Sequence, residues 1–227
     1  SLPLLGTDAF QEVDTHGITT PVAKHTFLVR TIDELPRVMD EAFRLAGGGR
    51  PGPVVVDVPK DIQMQSVSQA KGLTAGGQAK IGPVDEKKII EIARMINSAR
   101  RPILYLGGGV ISSDSSEPAR ELSRRASIPV TSSLMGLGSA RHDDPLYLGM
   151  LGMHAERSTN FIVHEADLIM VLGARFDDRA TGRISEFCNG TTVIHIDIDG
   201  SEIDKIKKSS VSLNADLRSS LEALLPH

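Results

Sequence analysis

An apolar stripe and a β-branched run mark the first regular elements of the chain. Over residues 32–46, apolar side chains recur every three or four positions, which is the spacing of a helix with one buried face. The three glycines at 47–49 are typical of a helix end. The run Val-Val-Val-Asp-Val at 54–58 is bounded by prolines and has the composition of a buried strand. The pattern therefore predicts a helix that leads into a strand.

A second pattern begins after residue 83. Residues 65–83 are rich in Gln, Ser, Gly, Ala and Lys and lack apolar periodicity, so we predict a linker there. Asp85 is the predicted N-cap of a helix that reaches Ser98. Strand-like and helix-like segments then alternate. The predicted strands are 102–106, 129–131, 167–172 and 192–198, and the predicted helices are 116–126, 156–164 and 216–224.

This alternation predicts an α/β fold with a parallel sheet covered by helices on both faces. The predicted strands are nearly continuous apolar runs, as strands buried on both faces require. In such sheets, ligands bind beyond the carboxyl ends of the strands. The residues that directly follow each strand are therefore the candidates for a binding site.

Composition excludes several classes of protein. The chain has 227 residues, 40% of them hydrophobic, and a formal net charge of -4 with both signs interspersed, so nucleic acid is not an expected partner. Its single cysteine, Cys188, cannot form an internal disulfide, which fits a reducing compartment. No apolar run approaches the roughly 20 residues that span a bilayer. We expect a cytoplasmic protein with no membrane partner.

The first predicted strand of the alternating region leads into Gly107-Gly108-Gly109, which is half of a dinucleotide fingerprint. Glycines allow a ligand to approach the backbone closely. The complete fingerprint fails, because Ser112 occupies the place of the third glycine and no acid follows the second strand. A standard NAD site is therefore disfavoured, and a tight turn without a ligand remains the alternative.

Two further strand ends carry hydroxyl groups, glycines and methionines. The segment 131–138 offers hydroxyls and two flexible glycines, which by themselves indicate only a turn. The segment 149–154 combines small residues with thioethers. Thioethers pack against a flat aromatic ligand as readily as they fill a core. Taken alone, the residues of this segment favour core packing.

The last two strand ends are the most polar. Residues 173–179 place two arginines and two aspartates in one loop, and arginine is suited to phosphate oxygens. The alternative is a solvated, self-paired charge cluster. Asp197 and Asp199 could accept hydrogen bonds from ribose or adenine. His195 alternates within its strand and is interpreted as a satisfied core residue, and no group of residues has the spacing of a metal site.

Several blocks of sequence occur in a fixed order along nearly the whole chain. The blocks are Gly6-Thr7-Asp8-Ala9-Phe10-Gln11-Glu12, Lys24-His25, Gly49-Arg50-Pro51-Gly52-Pro53-Val54, Val58-Pro59-Lys60-Asp61, Gly136-Leu137-Gly138, Met150-Leu151-Gly152-Met153-His154 and Gly173-Ala174-Arg175-Phe176-Asp177-Asp178-Arg179. Together and in this order, they resemble the catalytic subunit of acetohydroxyacid synthase (acetolactate synthase), a thiamine-diphosphate-dependent family.

The resemblance implies a domain organisation. Residues 1–64 would be the C-terminal part of the domain that binds the thiamine pyrimidine, and 84–227 a Rossmann-like central domain that binds FAD. The chain would then be an internal piece. The acid that activates thiamine would precede Ser1, and the motif for the metal and diphosphate would follow His227. We therefore expect the isolated piece to be inactive.

The resemblance also implies roles for individual residues. Phe10, Gln11 and Lys60 would border the tunnel through which substrate reaches the thiamine, together with Ala9. The implied FAD contacts are Arg50, Gly107, Gly108, Gly109, Ser133, Leu134, Met135, Leu151, Gly152, Met153, His154, Gly173, Ala174, Arg175, Asp177, Arg179, Asp197, Ile198, Ala215 and Asp216. The adenosine end is the least regular, because Ala215 stands where the family has glycine.

The implied reaction belongs to branched-chain amino acid biosynthesis. Pyruvate would be decarboxylated on thiamine diphosphate, and the two-carbon unit joined to a second pyruvate or to 2-oxobutyrate, with Mg²⁺ in the complete enzyme. Family members are dimers or tetramers, often with a regulatory subunit. The alternatives are a related carboligase or oxidase, such as glyoxylate carboligase or pyruvate oxidase, and a non-catalytic nucleotide-binding module.

Overall fold

A computed structural model describes residues 1–66 and 83–227 of the chain. The chain divides into two compact units, 1–80 and 81–227. The predicted linker, 65–83, lies outside the described residues except at its ends. The assignment of the units to particular domains remains a prediction.

The first unit contains a two-stranded parallel sheet. Strands β1 (His25–Leu28) and β2 (Val54–Asp57) pair with each other. The helices are α1 (Thr15–Thr19), α2 (Leu35–Gly47) and α3 (Lys60–Gln63), and 3-10 turns occur at Leu2–Leu4 and Ile32–Glu34. The core forms around Val29, Val38 and Ile62. The predicted helix and the strand after it are both present.

The second unit is built on a six-stranded, wholly parallel sheet. Its strands are β3 (Pro102–Leu106), β4 (Val130–Ser132), β5 (Tyr147–Met150), β6 (Leu168–Leu172), β7 (Thr192–Asp197) and β8 (Val211–Asn214). Its helices are α4 (Glu86–Ser98), α5 (Gly108–Ser112), α6 (Ser116–Ala126), α7 (Arg157–Glu165), α8 (Asp178–Thr181) and α9 (Leu217–Leu224), with a 3-10 turn at Leu134–Gly136.

Helices cover both faces of this sheet. On one face, residues of α4, α6 and α9 such as Ile92, Leu122 and Leu221 pack on the sheet in one buried cluster. On the other face, Val163 of α7 and Ala180 of α8 belong to a second cluster. Strands enclosed on both faces are mostly apolar along their length, which explains why β3 and β6 read as nearly continuous apolar runs. The predicted α/β fold is confirmed.

The two edge strands, β5 and β8, were not predicted. Strand β5 has no β-branched residue by which the sequence could have revealed it. It contains Gly149 with φ of +83°, and its register with β4 is irregular. Strand β8 alternates buried Val211 and Leu213 with less buried Ser212 and exposed Asn214. Edge strands are only partly enclosed, and the apolar signal that revealed the central strands is weaker there.

The strand order, β5-β4-β3-β6-β7-β8, places a topological switch point between β3 and β6. From β3 the chain moves outward to β4 and β5, and it then returns beside β3 as β6 and moves outward in the opposite direction. Connections that diverge in this way open a crevice at the carboxyl ends of the two central strands. The loops that begin at Gly107 and Gly173 meet at this point.

These two loops meet backbone to backbone. The Gly109 N–H donates to the Gly173 carbonyl oxygen at 2.9 Å. A Cβ on Gly107 would lie 2.1 Å from that same oxygen, and one on Gly109 would lie 2.7 Å from the Gly173 Cα. The space that the absent side chains leave is therefore filled by the neighbouring loop. This packing accounts for two glycines of the partial fingerprint without a ligand.

Gly107→Ala tests the crossing of these loops. We expect a loss of about 1–3 kcal/mol in the free energy of unfolding, because the new methyl group forces the two backbones apart. Gly47→Ala is the control, since nothing lies within 4 Å of the added Cβ, and it should change stability by less than about 0.5 kcal/mol. Urea unfolding measures both, and equal stability of the two variants would contradict the packing.

Candidate cofactor-binding edge of the sheet

The predicted site residues of the second unit lie at one edge of the sheet. All six strands are parallel, so their carboxyl ends share that edge. In strand order across the sheet, the site residues are Leu151–His154 after β5, Ser133–Met135 after β4, Gly107–Gly109 after β3, Gly173–Arg179 after β6, Asp197 and Ile198 at the end of β7, and Ala215 and Asp216 after β8.

Backbone hydrogen bonds join the segments that follow β3, β4, β5 and β6. The Ser133 N–H donates to the Leu106 carbonyl and the Leu151 N–H to the Ser132 carbonyl, both at 2.9 Å. The Met153 N–H donates to the Arg179 carbonyl at 2.8 Å. Loops from four strands thus form one connected rim.

The rim exposes large apolar side chains. Met135 is 72% exposed and Met153 is 60% exposed, whereas Leu151 is buried in the core. For the segment 149–154, the residues taken alone favoured core packing. That prediction is right for Leu151 and wrong for Met153. The reason is the turn at Gly152, whose φ of +96° reverses the backbone between the two residues. Exposed thioethers on a polar rim are suited to contact with a flat apolar ligand.

The charged loop after β6 is not simply a self-paired cluster. Its ion pair, Arg179 with Asp178, is exposed and 3.7 Å long, so it contributes little to stability. The Arg175 side chain is exposed and makes no ion pair within the described part of the chain. The Arg179 Nη1 also lies 3.8 Å from the Met153 Sδ. Two guanidinium groups at this rim are well placed for an anionic group.

Some of the predicted polar residues also have local structural roles. Asp177 caps α8 by accepting from the Ala180 N–H at 2.9 Å, and Asp216 caps α9 by accepting from the Ser219 N–H at 2.8 Å. Ser133 accepts from the Gly136 N–H at 3.1 Å. Each has a structural reason to be where it is, so the case for a binding site rests on the arginines and the exposed thioethers.

The ends of β7 and β8 form a separate pair. The Asn214 side-chain amide donates to the carbonyls of Asp197 and Ile198 at 3.0 and 2.9 Å. The Ala215 N–H donates to the Asp197 carbonyl at 3.2 Å. Strands β4 and β7 lie three strand spacings apart, about 14 Å. A ligand that contacts both the loop after β4 and the end of β7 must therefore be extended.

The predicted residues of the first unit lie in its loops and at a helix start. Phe10 is 93% exposed and precedes Gln11, which has φ of +59°. Lys60 is exposed at the first position of α3, and Arg50 is exposed between α2 and β2. Their contacts with substrate or cofactor remain predictions.

Two buried polar side chains beneath the rim were not recognised as part of the site. Tyr105 lies in β3 and His195 in β7, and both are fully buried. The His195 Nε2 is 3.0 Å from the Ala174 carbonyl oxygen, so this nitrogen carries the proton. The Nδ1 finds no hydrogen-bond partner among the described residues. His195 is therefore only half satisfied, contrary to its interpretation as a satisfied core residue.

Burial controls the pKa of both groups. It raises the pKa of the Tyr105 hydroxyl well above its usual range, and the Asp177 carboxylate acts in the same direction. It lowers the pKa of His195, against the opposing effects of Asp197, the Ala174 carbonyl, Asp204 and Glu202. Both side chains are neutral in the folded protein near pH 7.

Stability should therefore decrease in mild acid because of His195. A folded-state pKa below the unfolded value of about 6.5 means that the unfolded chain binds the proton more tightly. The stability present above about pH 6.5 is lost as pH falls further, with a slope of at most about 1.4 kcal/mol per pH unit. Urea unfolding over this range measures the slope.

His195→Gln is the control for this prediction. Glutamine keeps an N–H donor and does not titrate in this range. Carboxylates that do not interact with His195 contribute equally to both proteins, so the difference between the two pH profiles reports the imidazole together with its coupling to Asp197 and Asp204. Parallel profiles would show that His195 does not titrate as the structure implies.

A groove of about 390 Å³ lies beside the rim and is lined by residues that include Met153, Val163, Arg179, Phe187 and Cys188. The Cys188 thiol is 1% exposed at its wall, and burial raises the thiol pKa to about 12. The thiolate is the reactive form of cysteine. This thiol is therefore protected although a groove adjoins it.

Thiol labelling tests this protection. In mildly alkaline buffer, we expect a chromogenic disulfide reagent to react with the folded chain far more slowly than with the denatured chain. Denaturant should release one reactive thiol per chain, since Cys188 is the only cysteine. Equal rates with and without denaturant would show that the thiol is accessible.

The strand order and the wholly parallel sheet define a Rossmann-like class of α/β domain. Residues 89–224 match the family described as thiamine pyrophosphate enzyme, central domain. This match covers more than half of the 227 residues. The chain belongs to the thiamine pyrophosphate enzymes and contains their central domain.

Several acetolactate synthases are similar to nearly the whole chain. Isozyme 1 large subunit of Escherichia coli (strain K12) is 51% identical over 224 residues, which cover 98% of this chain and 39% of the relative. Isozyme 2 large subunit of the same organism is 46% identical over 99% and 40%. The chloroplastic acetolactate synthase 1 of Zea mays is 44% identical over 97% and 35%. The chain thus spans about two fifths of the length of these relatives.

Two other features, a membrane-spanning helix and a metal-binding cluster, are not found among the described residues. Within 1–66 and 83–227, no helix combines the length and apolar character that crossing a membrane requires. Over the same residues, no three side chains among His, Cys, Asp and Glu are grouped so that they could hold a metal ion.

Proposed function

We propose that this chain is part of an acetolactate synthase catalytic subunit and holds FAD in an extended form along the rim of its six-stranded sheet. One observation carries the proposal: the loops at the carboxyl ends of the strands expose two arginines and two methionine thioethers on the same side of the sheet. The similarity to acetolactate synthases over nearly the whole chain supports it. The first unit would belong to the domain that binds the thiamine pyrimidine.

The chemistry of the rim fits the parts of FAD. Arg175 and Arg179 supply planar donors for the diphosphate, with the ribityl part beside Gly107–Gly109. Met153 offers polarizable surface to the isoalloxazine, and Met135 would lie along the chain of the cofactor. The pair of strand ends at Asp197 and Ala215 would receive the adenosine. Arg50 would reach the cofactor from the first unit.

The proposed reaction joins two 2-oxo acids after loss of carbon dioxide. Thiamine diphosphate, held with Mg²⁺ in the complete enzyme, would supply a nucleophilic carbon derived from pyruvate. The residues of this chain would then bind and orient. Phe10, Gln11 and Lys60 would border the approach of pyruvate or 2-oxobutyrate, and the rim would hold FAD.

The proposed partners follow from the relatives. Two of them are named as large subunits, which is consistent with a separate regulatory subunit. We propose a homodimer or homotetramer of the catalytic subunit in the cytoplasm. A related carboligase or oxidase is the competing assignment, and acceptor preference in the complete enzyme would separate the two.

FAD binding by the 227-residue chain is the direct test. We expect the purified chain to retain added FAD through gel filtration, with a shifted flavin absorbance. Arg175→Gln should weaken affinity about tenfold or more, since a hydrogen bond to a charged group contributes roughly 1.5–3 kcal/mol.

Arg101→Gln is the matched control. Arg101 is also an exposed arginine, but it precedes β3 and so lies at the amino ends of the strands, away from the rim. Its replacement should leave FAD affinity unchanged. A chain that stays colourless and leaves the fluorescence of added FAD unchanged would count against the proposal, as would equal losses in the two variants.

A further inference from the structure

The loop after β6 is held from below by side chains of the two strands beside it. The His195 Nε2–H of β7 donates to the Ala174 carbonyl at 3.0 Å. The Tyr105 hydroxyl of β3 donates to the next carbonyl, that of Arg175, at 3.4 Å. The first distance is normal for a hydrogen bond and the second is long, so the histidine makes the stronger contact.

The register of the sheet places these two side chains in one row. Tyr105 pairs with Val171, and Val171 pairs with His195. Val171 is short, and the chain that leaves β6 folds back over it. The Phe176 ring lies between the flanking rings, with its centroid 6.3 Å from that of Tyr105 and 5.7 Å from that of His195.

The neighbouring row shows that these polar groups are not a general feature of this face. One row nearer the amino end, Ile103, Ile169 and Val193 stand side by side, and all are buried. An apolar row satisfies the core equally well, and burying a polar group without full pairing costs free energy. Polar side chains replace apolar ones in the row that lies beneath the loop.

The two contacts determine which side chains face the ligand edge. Along the loop, Ala174 and Phe176 are buried, while Arg175 and Asp177 are exposed. This alternation is that of an extended segment, in which a shift by one residue exchanges the two faces. Fixing the carbonyls of Ala174 and Arg175 fixes the register. The Arg175 guanidinium is thereby kept on the outside.

We infer that His195, assisted by Tyr105, is a positioning residue that holds the loop 173–177 in the register which presents Arg175 to the ligand. Neither side chain touches the ligand. His195 acts as a neutral donor through Nε2, with its other nitrogen left unpaired among the described residues. The identity of the ligand rests on the proposed function, whereas the effect on the loop does not.

Four variants of the full chain test this inference. His195→Leu removes the stronger donor, His195→Gln retains an N–H at a similar reach, and Tyr105→Phe removes only the hydroxyl. Ser123→Ala is the matched control, because Ser123 is also buried and donates to a buried carbonyl, that of Ile128, at 2.7 Å. It belongs to α6, on the other face of the sheet.

The first readout needs no ligand. Hydrogen–deuterium exchange of a peptide that covers 173–182 should be faster in His195→Leu, less so in Tyr105→Phe, and unchanged in Ser123→Ala. His195→Gln should restore most of the protection. Unchanged exchange in a folded His195→Leu would overturn the inference. If His195→Leu fails to fold, unchanged exchange and unchanged FAD affinity in Tyr105→Phe, which removes the other donor to the loop, would overturn it.

The second readout is FAD affinity. We expect a loss of about tenfold in His195→Leu and about threefold in Tyr105→Phe, the range of one hydrogen bond. His195→Gln should recover to within about threefold, and Ser123→Ala should lose stability but not affinity. If the wild-type chain binds no FAD but the exchange pattern appears, the proposed function fails and the positioning role stands. If all variants bind FAD equally, the positioning role fails alone.

Discussion

The contact between two loop backbones at the centre of the sheet is the constraint on which the candidate site depends. Gly107 and Gly109 lie against Gly173, and no side chain fits between them. The carboxyl ends of β3 and β6 are adjacent through the pairing of Leu106 with Leu172, and the loops that follow them can meet backbone to backbone because these positions lack a Cβ. The meeting of the two loops at the switch point follows from that contact, whereas the placement of Arg175 involves the hydrogen bonds from Tyr105 and His195 to the loop after β6.

The second constraint is the cost of polar groups in a closed sheet. Both faces of the sheet are covered by helices, so a buried donor or acceptor has no water to pair with. Tyr105 and His195 nevertheless occupy the row beneath the loop, and each meets a carbonyl that would otherwise be unpaired. Tyr105 and His195 therefore belong to the core and also support the loop after β6. Because His195 is neutral, the same side chain can lie buried in the sheet and donate a hydrogen bond to that loop.

Structure and binding chemistry also share residues at the rim. Asp177 and Asp216 cap helices, and Ser133 caps a 3-10 turn, so all three have a role in the fold itself. Arg175 is exposed and makes no ion pair within the described residues, and Met153 is exposed with only its sulfur in contact with Arg179, at 3.8 Å. Side chains with no structural partner are the better indicators of a ligand, because burial or capping does not explain them.

The sequence by itself determined the α/β class, the central strands and most of the helices, since β6 is apolar at every position, β3 is nearly so, and α4 follows a capping aspartate. It also placed the candidate residues directly after strands. The edge strands β5 and β8 escaped, because an edge position does not require a continuous apolar run. Only the tertiary structure decided the strand order, the contact of Gly107 with Gly173, the exposure of Met153 and the row of Tyr105, Val171 and His195. The strand order, the glycine contact and the row depend on which distant segments become neighbours, and the exposure of Met153 depends on the turn at Gly152. A local pattern of apolar and polar residues carries no record of either.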